Sequence, residues 1–259
     1  MNKFVNGRVY SDSKGIIAWV FNEFGITYTT SGINALLKRM GFVYKKPVLT
    51  PCKVDEQKQQ EFVTQYQQVK QNLAKEDQIY FVDGGVHPQH NTIANYGWIK
   101  KGHTKQLKTN NGRQRINING AYNAATKQVF YVEDERINAQ TMIALLQLIL
   151  KEQKEGKIHI VLDNARYYHA LVVKEFLEDN TRIILHFLPP YSPNLNIIER
   201  LWKILKTKVV YNKFYLRFKD FKLAVNDFFK NEIWKQNEFE NSLSDNFQII
   251  KPDFSGSYL

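Results

Sequence analysis

Apolar residues recur along this chain with two periods, one typical of helices and the other of strands. Short apolar runs bounded by polar or turn residues predict strands at 78–83, near 114–123, and at 127–133, 158–163 and 182–188. Helical spacing predicts helices at 139–154 and 166–179, a third that begins near residue 194, and a fourth at 218–234. Because strands and helices alternate in the second half, we expect an α/β fold in which helices cover a mixed sheet.

The first fifty residues follow a different pattern, with two short helices predicted at 11–22 and 31–40. Thr30 or Ser31 can cap the second helix, whose last turn is basic. Residues 42–46 resemble a strand, so the segment fits a helix-turn-helix with a wing. A plain two-helix packing module accounts for the same pattern.

Composition shifts predict where the domains begin and end. Residues 47–51 form an extended, proline-bounded linker, and a polar, glutamine-rich helix is predicted at 55–74. We therefore divide the chain into an N-terminal module (1–50), a linker helix (51–76), a main domain (77–235) and a polar C-terminal tail (236–259), which we expect to be loosely held.

The chain carries a formal net charge of +11, and the excess is concentrated in three stretches. Residues 1–53 hold eight Lys and Arg against two acids, residues 100–115 hold six against none, and residues 200–235 hold ten against three. A basic surface of this kind attracts a polyanion, so we expect a nucleic-acid partner.

One cysteine and short apolar runs limit where the protein works. Cys52 is the only cysteine, so neither an intramolecular disulfide nor a cysteine-based zinc site can form. The longest apolar runs fall far short of the roughly 20 residues that span a bilayer, and no secretory pattern follows Lys3. We expect a cytoplasmic protein with no membrane partner.

Three carboxylates occur at strand ends and on a helix, which are positions where divalent ions are commonly bound. Asp83 and Asp163 each follow a predicted strand, and Glu199 lies on the helix that begins near residue 194. Gly84 and Gly85 free the backbone to turn sharply after Asp83. Aspartates at the ends of neighbouring strands supply the oxygen ligands that hard divalent cations need. The set therefore predicts a metal site at one sheet edge.

Each carboxylate also has a purely structural interpretation. Asp83 and Asp163 could form turns, and Glu199 could complete a capping box if Asn196 were the N-cap. A helix start at Ser192 would instead leave the Glu199 side chain free. Taken singly, the structural interpretation is the better one for all three, and only their strand, strand, helix order favours catalysis.

Three motifs that contain these carboxylates carry a family resemblance. They are FVDGGVHPQH at 81–90, VLDNARYYH at 161–169 and LPPYSPNLNIIERLW at 188–202. Together they resemble the bacterial insertion-sequence transposases of the mariner superfamily, over about residues 31–209. SGINALLKRMGFVYKKP at 31–47 is similar to the second helix-turn-helix unit of such enzymes.

The resemblance implies a ribonuclease H-like DDE catalytic domain preceded by a partial helix-turn-helix or winged-helix module. It implies that Asp83, Asp163 and Glu199 hold two Mg²⁺ or Mn²⁺ ions, which in such sites lie roughly 3.5 to 4 Å apart. Its implied reaction is cleavage of double-stranded DNA at element ends and transfer of the 3′ end to target DNA, at a TA dinucleotide, by a homodimer. A ribonuclease H-like nuclease without strand transfer and an inactive DNA-binding remnant are the alternatives.

Two departures from the family pattern stand out. Gly84 occupies a position where many relatives have an acidic or larger residue. Relatives also usually begin with a further helix-turn-helix unit, so we expect this chain to be truncated or the downstream product of a split reading frame.

Basic residues near these motifs are candidates for contacting DNA, with a solvated surface as the alternative. The candidates are Lys38, Arg39, Lys45, Lys46, Lys100, Lys101, Arg113, Lys203 and Lys206. We expect four residues to support the site, namely Asn164, His169, Asn196 and Trp202.

Aromatic and histidine side chains in the basic segment after Asp83 have less specific interpretations. Tyr96 and Trp98 precede two lysines and could stack on bases, although a buried core position is the better expectation for Trp98. His87, His90 and His103 match no helical ligand spacing, so we expect them to contact phosphate or solvent.

Overall fold

A computed structural model describes residues 9–46, 51, 53–110, 112, 114–235 and 239–251. These residues form two compact units, an N-terminal one up to residue 51 and a larger one made of residues 53–250. Cys52, Arg113 and most of the predicted linker at 47–51 lie outside the described residues.

In the described part of the N-terminal unit there are two helices, α1 (Ser13–Phe24) and α2 (Thr30–Arg39). Helix α1 begins after Asp12, whose side chain accepts a hydrogen bond from the Gly15 N–H at 2.8 Å, and it ends at Gly25 in a left-handed conformation. The two helices are joined by a 2.6 Å hydrogen bond from Ser13 Oγ to Asn34 Oδ1.

Two predictions for this unit were wrong. The N-cap of α2 is Thr29, one residue before the predicted candidates, because its extended backbone lets its hydroxyl accept from the Gly32 N–H at 3.1 Å. Residues 42–46 form no strand, since no neighbouring strand among the described residues offers them a ladder.

The larger unit is built on a five-stranded mixed sheet in the order β3-β2-β1-β4-β5. Its strands are β1 (Gln78–Val82), β2 (Asn117–Tyr122), β3 (Val129–Asp134), β4 (Ile158–Leu162) and β5 (Ile183–Phe187). β2 pairs antiparallel with both β1 and β3, whereas β4 pairs parallel with both β1 and β5. The predicted mixed sheet is confirmed.

Within the described residues of the larger unit, five α-helices accompany the sheet. They are α3 (Glu56–Gln71), α4 (Ala139–Glu152), α5 (Leu171–Asp179), α6 (Ile197–Leu205) and α7 (Phe218–Lys230). Two predicted helices are divided: a 3₁₀ turn at Arg166–His169 precedes α5, and another at Ile233–Lys235 follows α7. The helix predicted near residue 194 begins as a 3₁₀ turn, Pro193–Leu195, and continues after α6 as a π-helical segment, Lys206–Val210.

The core has two parts, one on each face of the sheet. On one face, Met142, Leu145 and Ile149 of α4 are fully buried together with Val173 of α5. The other face is covered by α3, α6 and α7, whose buried aromatic residues include Phe62, Tyr66, Trp202, Phe221 and Phe228. Helix α6, which carries Glu199, is therefore packed directly against the sheet.

Residues 239–250, predicted to belong to a loose tail, instead pack on the larger unit. Leu243 is buried, and the ring of Phe247 lies edge-on to Tyr66 with centroids 5.1 Å apart. Arg200 donates to the Ser244 carbonyl oxygen at 2.9 Å. Three apolar side chains, Phe239, Leu243 and Phe247, pack on the core from this otherwise polar segment, which explains why its composition concealed the packing.

Across the described residues, no helix is both long enough and apolar enough to cross a membrane.

Candidate active site

Asp83 follows β1 directly and is almost completely buried, with 4% of its surface exposed. Its two carboxylate oxygens accept different hydrogen bonds: Oδ1 from the Gly85 N–H at 2.8 Å, and Oδ2 from the Trp202 indole N–H at 2.6 Å. The turn depends on Gly85, whose φ of 94° is in the region that favours glycine. Trp202 thus links Asp83 to α6.

Asp163 follows β4, the parallel neighbour of β1. The register pairs Phe81 with Val161, so the two aspartates lie two residues further along both strands, at the same edge of the sheet. Asp163 Oδ2 lies 3.5 Å from the point where a Cβ on Gly84 would be. A larger side chain at Gly84 would therefore meet Asp163 directly.

Glu199 lies in the first turn of α6 and is half-buried. Asn196 is the N-cap residue by backbone geometry, but its side chain makes no cap hydrogen bond; its Nδ2 donates instead to the Val82 carbonyl oxygen at 2.8 Å. The capping box that would have explained Glu199 structurally is absent, and the Asn196 contact fixes the start of α6 beside the end of β1.

The carboxylates influence each other's protonation. Burial raises the pKa of Asp83 to about 7, and the charges of Glu199 and, to a lesser degree, Asp163 add to this rise, against the opposing hydrogen bonds from Gly85 and Trp202. Burial likewise raises the pKa of Glu199, with a further contribution from Asp163. Mutual repulsion between buried carboxylates is the situation that a bound cation relieves.

The side chains are not gathered into a closed ligand cluster. No group of three His, Cys, Asp or Glu residues in the described part of the chain is positioned to hold a metal ion. The Asp83 carboxylate is engaged by the Trp202 indole and the Gly85 N–H. The structure thus brings the three carboxylates to one end of the sheet, but it does not draw them together into a set of metal ligands.

Family models match both units of the chain. A model described as a DDE superfamily endonuclease matches residues 78–222, more than half of the chain. The chain belongs to the DDE superfamily endonucleases. A second model, a winged helix-turn-helix, matches residues 7–66, which decides between the two interpretations of the N-terminal helices.

One insertion-element relative agrees with the predicted family. An "Insertion element IS630 uncharacterized 39 kDa protein" from Shigella sonnei is 22% identical over 202 residues, which cover 77% of this chain. The chain spans 58% of that relative's length.

Two solved structures share the fold, each with a TM-score of 0.61. A "Mos1 transposase paired-end complex with left transposon end" is 15% identical and covers 91% of this chain and 76% of its own. A "Mos1 mariner paired end complex with Mn" is 16% identical, and the match covers 90% of this chain and 75% of that one. The expected ribonuclease H-like fold is thereby confirmed.

The basic residues proposed to contact DNA in this DDE endonuclease fall in three places. Lys38, Arg39, Lys45 and Lys46 are exposed in the N-terminal unit, and Lys100 and Lys101 are exposed after β1. Lys203 and Lys206 lie close enough to Glu199 to lower its pKa, against the larger effect of burial. Only these last two are beside the carboxylates.

The other supporting residues have definite contacts. Asn164 donates to the Leu188 carbonyl oxygen at 2.8 Å, which ties the end of β4 to the segment after β5. His169 is exposed and stacks on Phe187 with centroids 4.8 Å apart, away from direct contact with the carboxylates.

Two residues missed by sequence reasoning also shape the site. The Tyr168 hydroxyl donates to the Asp83 carbonyl oxygen at 2.7 Å. Gly120 on β2 leaves room for Trp202, because a Cβ there would lie 2.7 Å from the indole Cη2 atom. A glycine inside an otherwise regular strand is the signal that could have identified Gly120.

Two predictions about the segment after β1 were wrong. His90 is buried against Phe218 and Phe221 and lies 2.8 Å from the Tyr215 carbonyl oxygen, so its role is structural. Trp98 is fully exposed, because it lies on a segment that leaves the core altogether.

Proposed function

We propose that this chain is a transposase that cleaves DNA at the ends of an insertion sequence and transfers the 3′ end to target DNA. One observation carries the proposal: two strand-end aspartates and a helix-borne glutamate lie at one end of the sheet, close enough that the charges of Glu199 and Asp163 raise the pKa of Asp83. The matched family and the name of the insertion-element relative support the same function.

Asp83, Asp163 and Glu199 are proposed to hold Mg²⁺ or Mn²⁺, two ions in all. The chemistry of the set fits, because carboxylate oxygens suit these hard cations, and the charges of Glu199 and Asp163 add to the rise that burial causes in the pKa of Asp83. A manganese complex among the Mos1 structures supports divalent metal use. When bound, such ions activate the attacking oxygen and stabilise the leaving one.

The surrounding residues position these ligands. Trp202 and Gly85 fix the Asp83 carboxylate, and Asn196 fixes the start of the helix that carries Glu199. Lys203 and Lys206 favour the ionised form of Glu199 and offer positive charge to a DNA phosphate. These contacts support the proposal that the acids are held in place at one end of the sheet.

A homodimer on double-stranded DNA is part of the proposal. The two Mos1 structures are paired-end complexes, which supports an assembly that acts on two element ends. The winged helix-turn-helix supports DNA binding by the N-terminal unit.

The test is cleavage and strand transfer on labelled element-end DNA with Mg²⁺ or Mn²⁺. We expect Asp163→Asn and Glu199→Gln each to reduce cleavage by at least about a hundredfold, because losing one electrostatic stabiliser commonly costs about 10²–10³. Glu175→Gln is the matched control, since Glu175 is an exposed acid on α5.

Three results would contradict the proposal. Full activity in Asp163→Asn or Glu199→Gln would remove the assigned residues. Hydrolysis without strand transfer would indicate a nuclease. Tight DNA binding with no turnover by the unmodified protein, in either metal, would indicate a DNA-binding remnant.

A further inference from the structure

A small notch lies at the end of the sheet that carries the acids, between Gly84, Asp163 and Tyr167. The Tyr167 hydroxyl lies 3.6 Å, and Asp163 Oδ2 lies 3.5 Å, from the point where a Cβ on Gly84 would be. Glycine has no side chain to fill this space, and all three residues are half-buried, so solvent reaches them. We name it the Gly84 notch. The metal-site proposal uses Asp163 but gives no role to Tyr167.

One side of the Gly84 notch is an acceptor that the protein leaves unused. Asp163 Oδ1 accepts a hydrogen bond from the Ala165 N–H at 3.1 Å, whereas Oδ2 faces Gly84 and accepts none from the described residues. The carboxylate is thus fixed through one oxygen and open at the other. A ligand that enters the notch meets Asp163 Oδ2 directly.

The other side is a hydroxyl whose proton is only weakly engaged. Tyr167 Oη donates to Tyr168 Oη across 3.3 Å, which is longer than the roughly 2.5–3.0 Å usual between two oxygens. Tyr168 itself donates to the Asp83 carbonyl oxygen at 2.7 Å, and its ring lies against that of Tyr167 with centroids 4.4 Å apart. Tyr168 therefore holds the Tyr167 ring in place without satisfying its hydroxyl.

The Tyr167 hydroxyl lies among acids and keeps its proton. Burial raises the pKa of Tyr167 to about 12, and the charges of Asp163 and Asp83 add to this rise, against the hydrogen bond with Tyr168. A protonated tyrosine is a neutral donor. The Trp202 indole and the Tyr168 hydroxyl already donate to Asp83, so Tyr167 is the aromatic side chain beside these acids that has a donor to offer a ligand.

The size and chemistry of the Gly84 notch suit one oxygen of a phosphate. Tyr167 Oη and Asp163 Oδ2 lie no more than about 7 Å apart, and an oxygen in ordinary contact with both spans about 5–6 Å. A DNA phosphate that is attacked beside Asp163 presents two non-bridging oxygens. A neutral hydroxyl can hydrogen-bond one of them without competing with the carboxylates for cations.

We propose that the Tyr167 hydroxyl contacts the substrate during DNA cleavage, by donating a hydrogen bond to a non-bridging oxygen of the phosphate that is attacked beside Asp163. The inference rests on the proposed function and deepens it, because it adds a donor to a site otherwise described through its acids. Charge in phosphoryl transfer is spread over the non-bridging oxygens, so this donor should accelerate cleavage more than it strengthens binding.

The first measurement is the cleavage rate of Tyr167→Phe, a change that removes the hydroxyl and keeps the ring. With saturating element-end duplex and Mn²⁺, we expect the rate constant to fall by at least about tenfold, the usual contribution of a hydrogen bond to a charged group. The half-saturating DNA concentration should stay within about twofold, because other phosphates supply most of the affinity.

Tyr131→Phe is the matched control for this measurement. Tyr131 on β3 is also half-buried, its ring stacks on Phe229 with centroids 4.2 Å apart, and it has no part in the site. The control should cleave like the unmodified protein.

A second measurement separates a phosphate contact from a purely structural role. Replacing one non-bridging oxygen of the scissile phosphate by sulfur gives two diastereomers, and sulfur accepts hydrogen bonds only weakly. On one diastereomer Tyr167→Phe should cleave within about threefold of the unmodified protein, because the contact is already lost, whereas on the other the loss of about tenfold should remain. A hydroxyl that acts only on folding would lower the rate on all three substrates by the same factor.

A third measurement does not depend on cleavage. Full-length protein labelled with ¹³C at tyrosine Cζ gives a resonance for each tyrosine, and the Tyr167 resonance is the one missing in Tyr167→Phe. In Ca²⁺, which coordinates with looser geometry than Mg²⁺, we expect the element-end duplex to shift the Tyr167 resonance, because Cζ carries the hydroxyl. The Tyr131 resonance should not move.

Three results would overturn the inference. These are unchanged cleavage in Tyr167→Phe, equal losses on the oxygen substrate and both sulfur substrates, and a Tyr167 resonance that the duplex does not shift.

The Tyr167 contact and the proposed function can fail separately. Any of these three results in a protein that cleaves element-end DNA would reject the Tyr167 contact alone. A duplex-induced shift of the Tyr167 resonance in a protein that cleaves nothing in Mg²⁺ or Mn²⁺ would reject the transposase function and keep Tyr167 as a DNA contact. Absence of both cleavage and shift would reject both.

Discussion

At the scale of single residues, the site depends on how one buried carboxylate is held. Burial and the neighbouring acids raise the pKa of Asp83 to about 7, while the hydrogen bond from the Trp202 indole stabilises the charged form. Trp202 can lie there only because Gly120 has no side chain. Trp202 and Gly120, which are distant from Asp83 in the sequence, thus influence the protonation of that aspartate.

Replacing Trp202 tests this arrangement. Trp202→Phe keeps an aromatic ring but removes the donor to Asp83, and a hydrogen bond to a charged group contributes about 1.5–3 kcal/mol. The folded-state pKa of Asp83 is already raised, so ionisation costs stability as pH rises through about 7. We expect the variant's loss in free energy of unfolding to be larger at about pH 8.5 than at about pH 6, measured by urea titration in EDTA.

The matched control for that titration is Trp234→Phe. Trp234 is also buried, but its indole donates to the Lys127 carbonyl oxygen at 3.4 Å, and that acceptor does not titrate. The loss in free energy of unfolding for Trp234→Phe should be the same at both pH values. An equally pH-independent loss for Trp202→Phe would show that the indole does not act on the Asp83 charge.

At the scale of elements, α6 is placed by the turn that precedes it. Pro193 begins a 3₁₀ turn, and Asn196 then binds the Val82 carbonyl oxygen instead of capping its own helix. The buried residues Ile198, Leu201 and Leu205 press the helix against the sheet. Glu199 is left half-buried between this apolar face and two lysines.

The lysines of this helix should act on both DNA and Glu199. We expect Lys203→Gln with Lys206→Gln to reduce the slope of log affinity for duplex DNA against log salt by about 0.9 for each phosphate that the variant no longer binds. The pKa of Glu199 should rise further, because both lysines lower it in the unmodified protein. Fluorescence anisotropy over a salt series measures the slope.

Lys222→Gln is the control for the salt series, because Lys222 on α7 is paired with Glu133 at 2.5 Å. Its slope should match that of the unmodified protein. If the double variant leaves the salt slope unchanged, Lys203 and Lys206 do not contact DNA phosphates and are only part of a solvated helix surface.

At the scale of the whole molecule, the C-terminal residues complete the larger unit. Phe247 reaches the rings of Tyr66 and Phe81, with centroids 5.1 and 6.1 Å away, and Asp245 accepts a 2.9 Å hydrogen bond from the Tyr66 hydroxyl. The segment therefore joins α3 to the sheet, although it is the last described part of the chain.

Removing the Phe247 ring should destabilise the larger unit. Fully buried phenylalanines cost about 3–5 kcal/mol on truncation to alanine, and since Phe247 is only partly buried we expect Phe247→Ala to cost about 2 kcal/mol. Urea unfolding followed by far-ultraviolet circular dichroism measures it. Leu216→Ala, at an exposed position, should stay within about 0.5 kcal/mol, and a similar value for Phe247→Ala would mean that the tail is loose after all.

Local signals in the sequence were enough to predict most of the elements and to select three candidate acids. Apolar runs ending in aspartate located β1 and β4, and the Pro193 turn followed by an amphipathic stretch located the helix of Glu199. These features depend on residues close together along the chain, and the family motifs lie in the same segments. Their detection therefore needed no spatial information.

Tertiary structure decided how segments distant along the chain meet. The indole of Trp202 reaches Asp83, and the Asn196 side chain donates to the end of β1 instead of capping its own helix. Leu243 is buried in the larger unit although it belongs to a segment whose composition predicted a loose tail. Trp98, which hydrophobicity alone would bury, is exposed on the segment between β1 and β2, where Ile93 and Asn95 are hydrogen-bonded to Asn212 after α6. Burial depends on which surfaces the fold brings together, and a linear pattern of residue types does not contain that information.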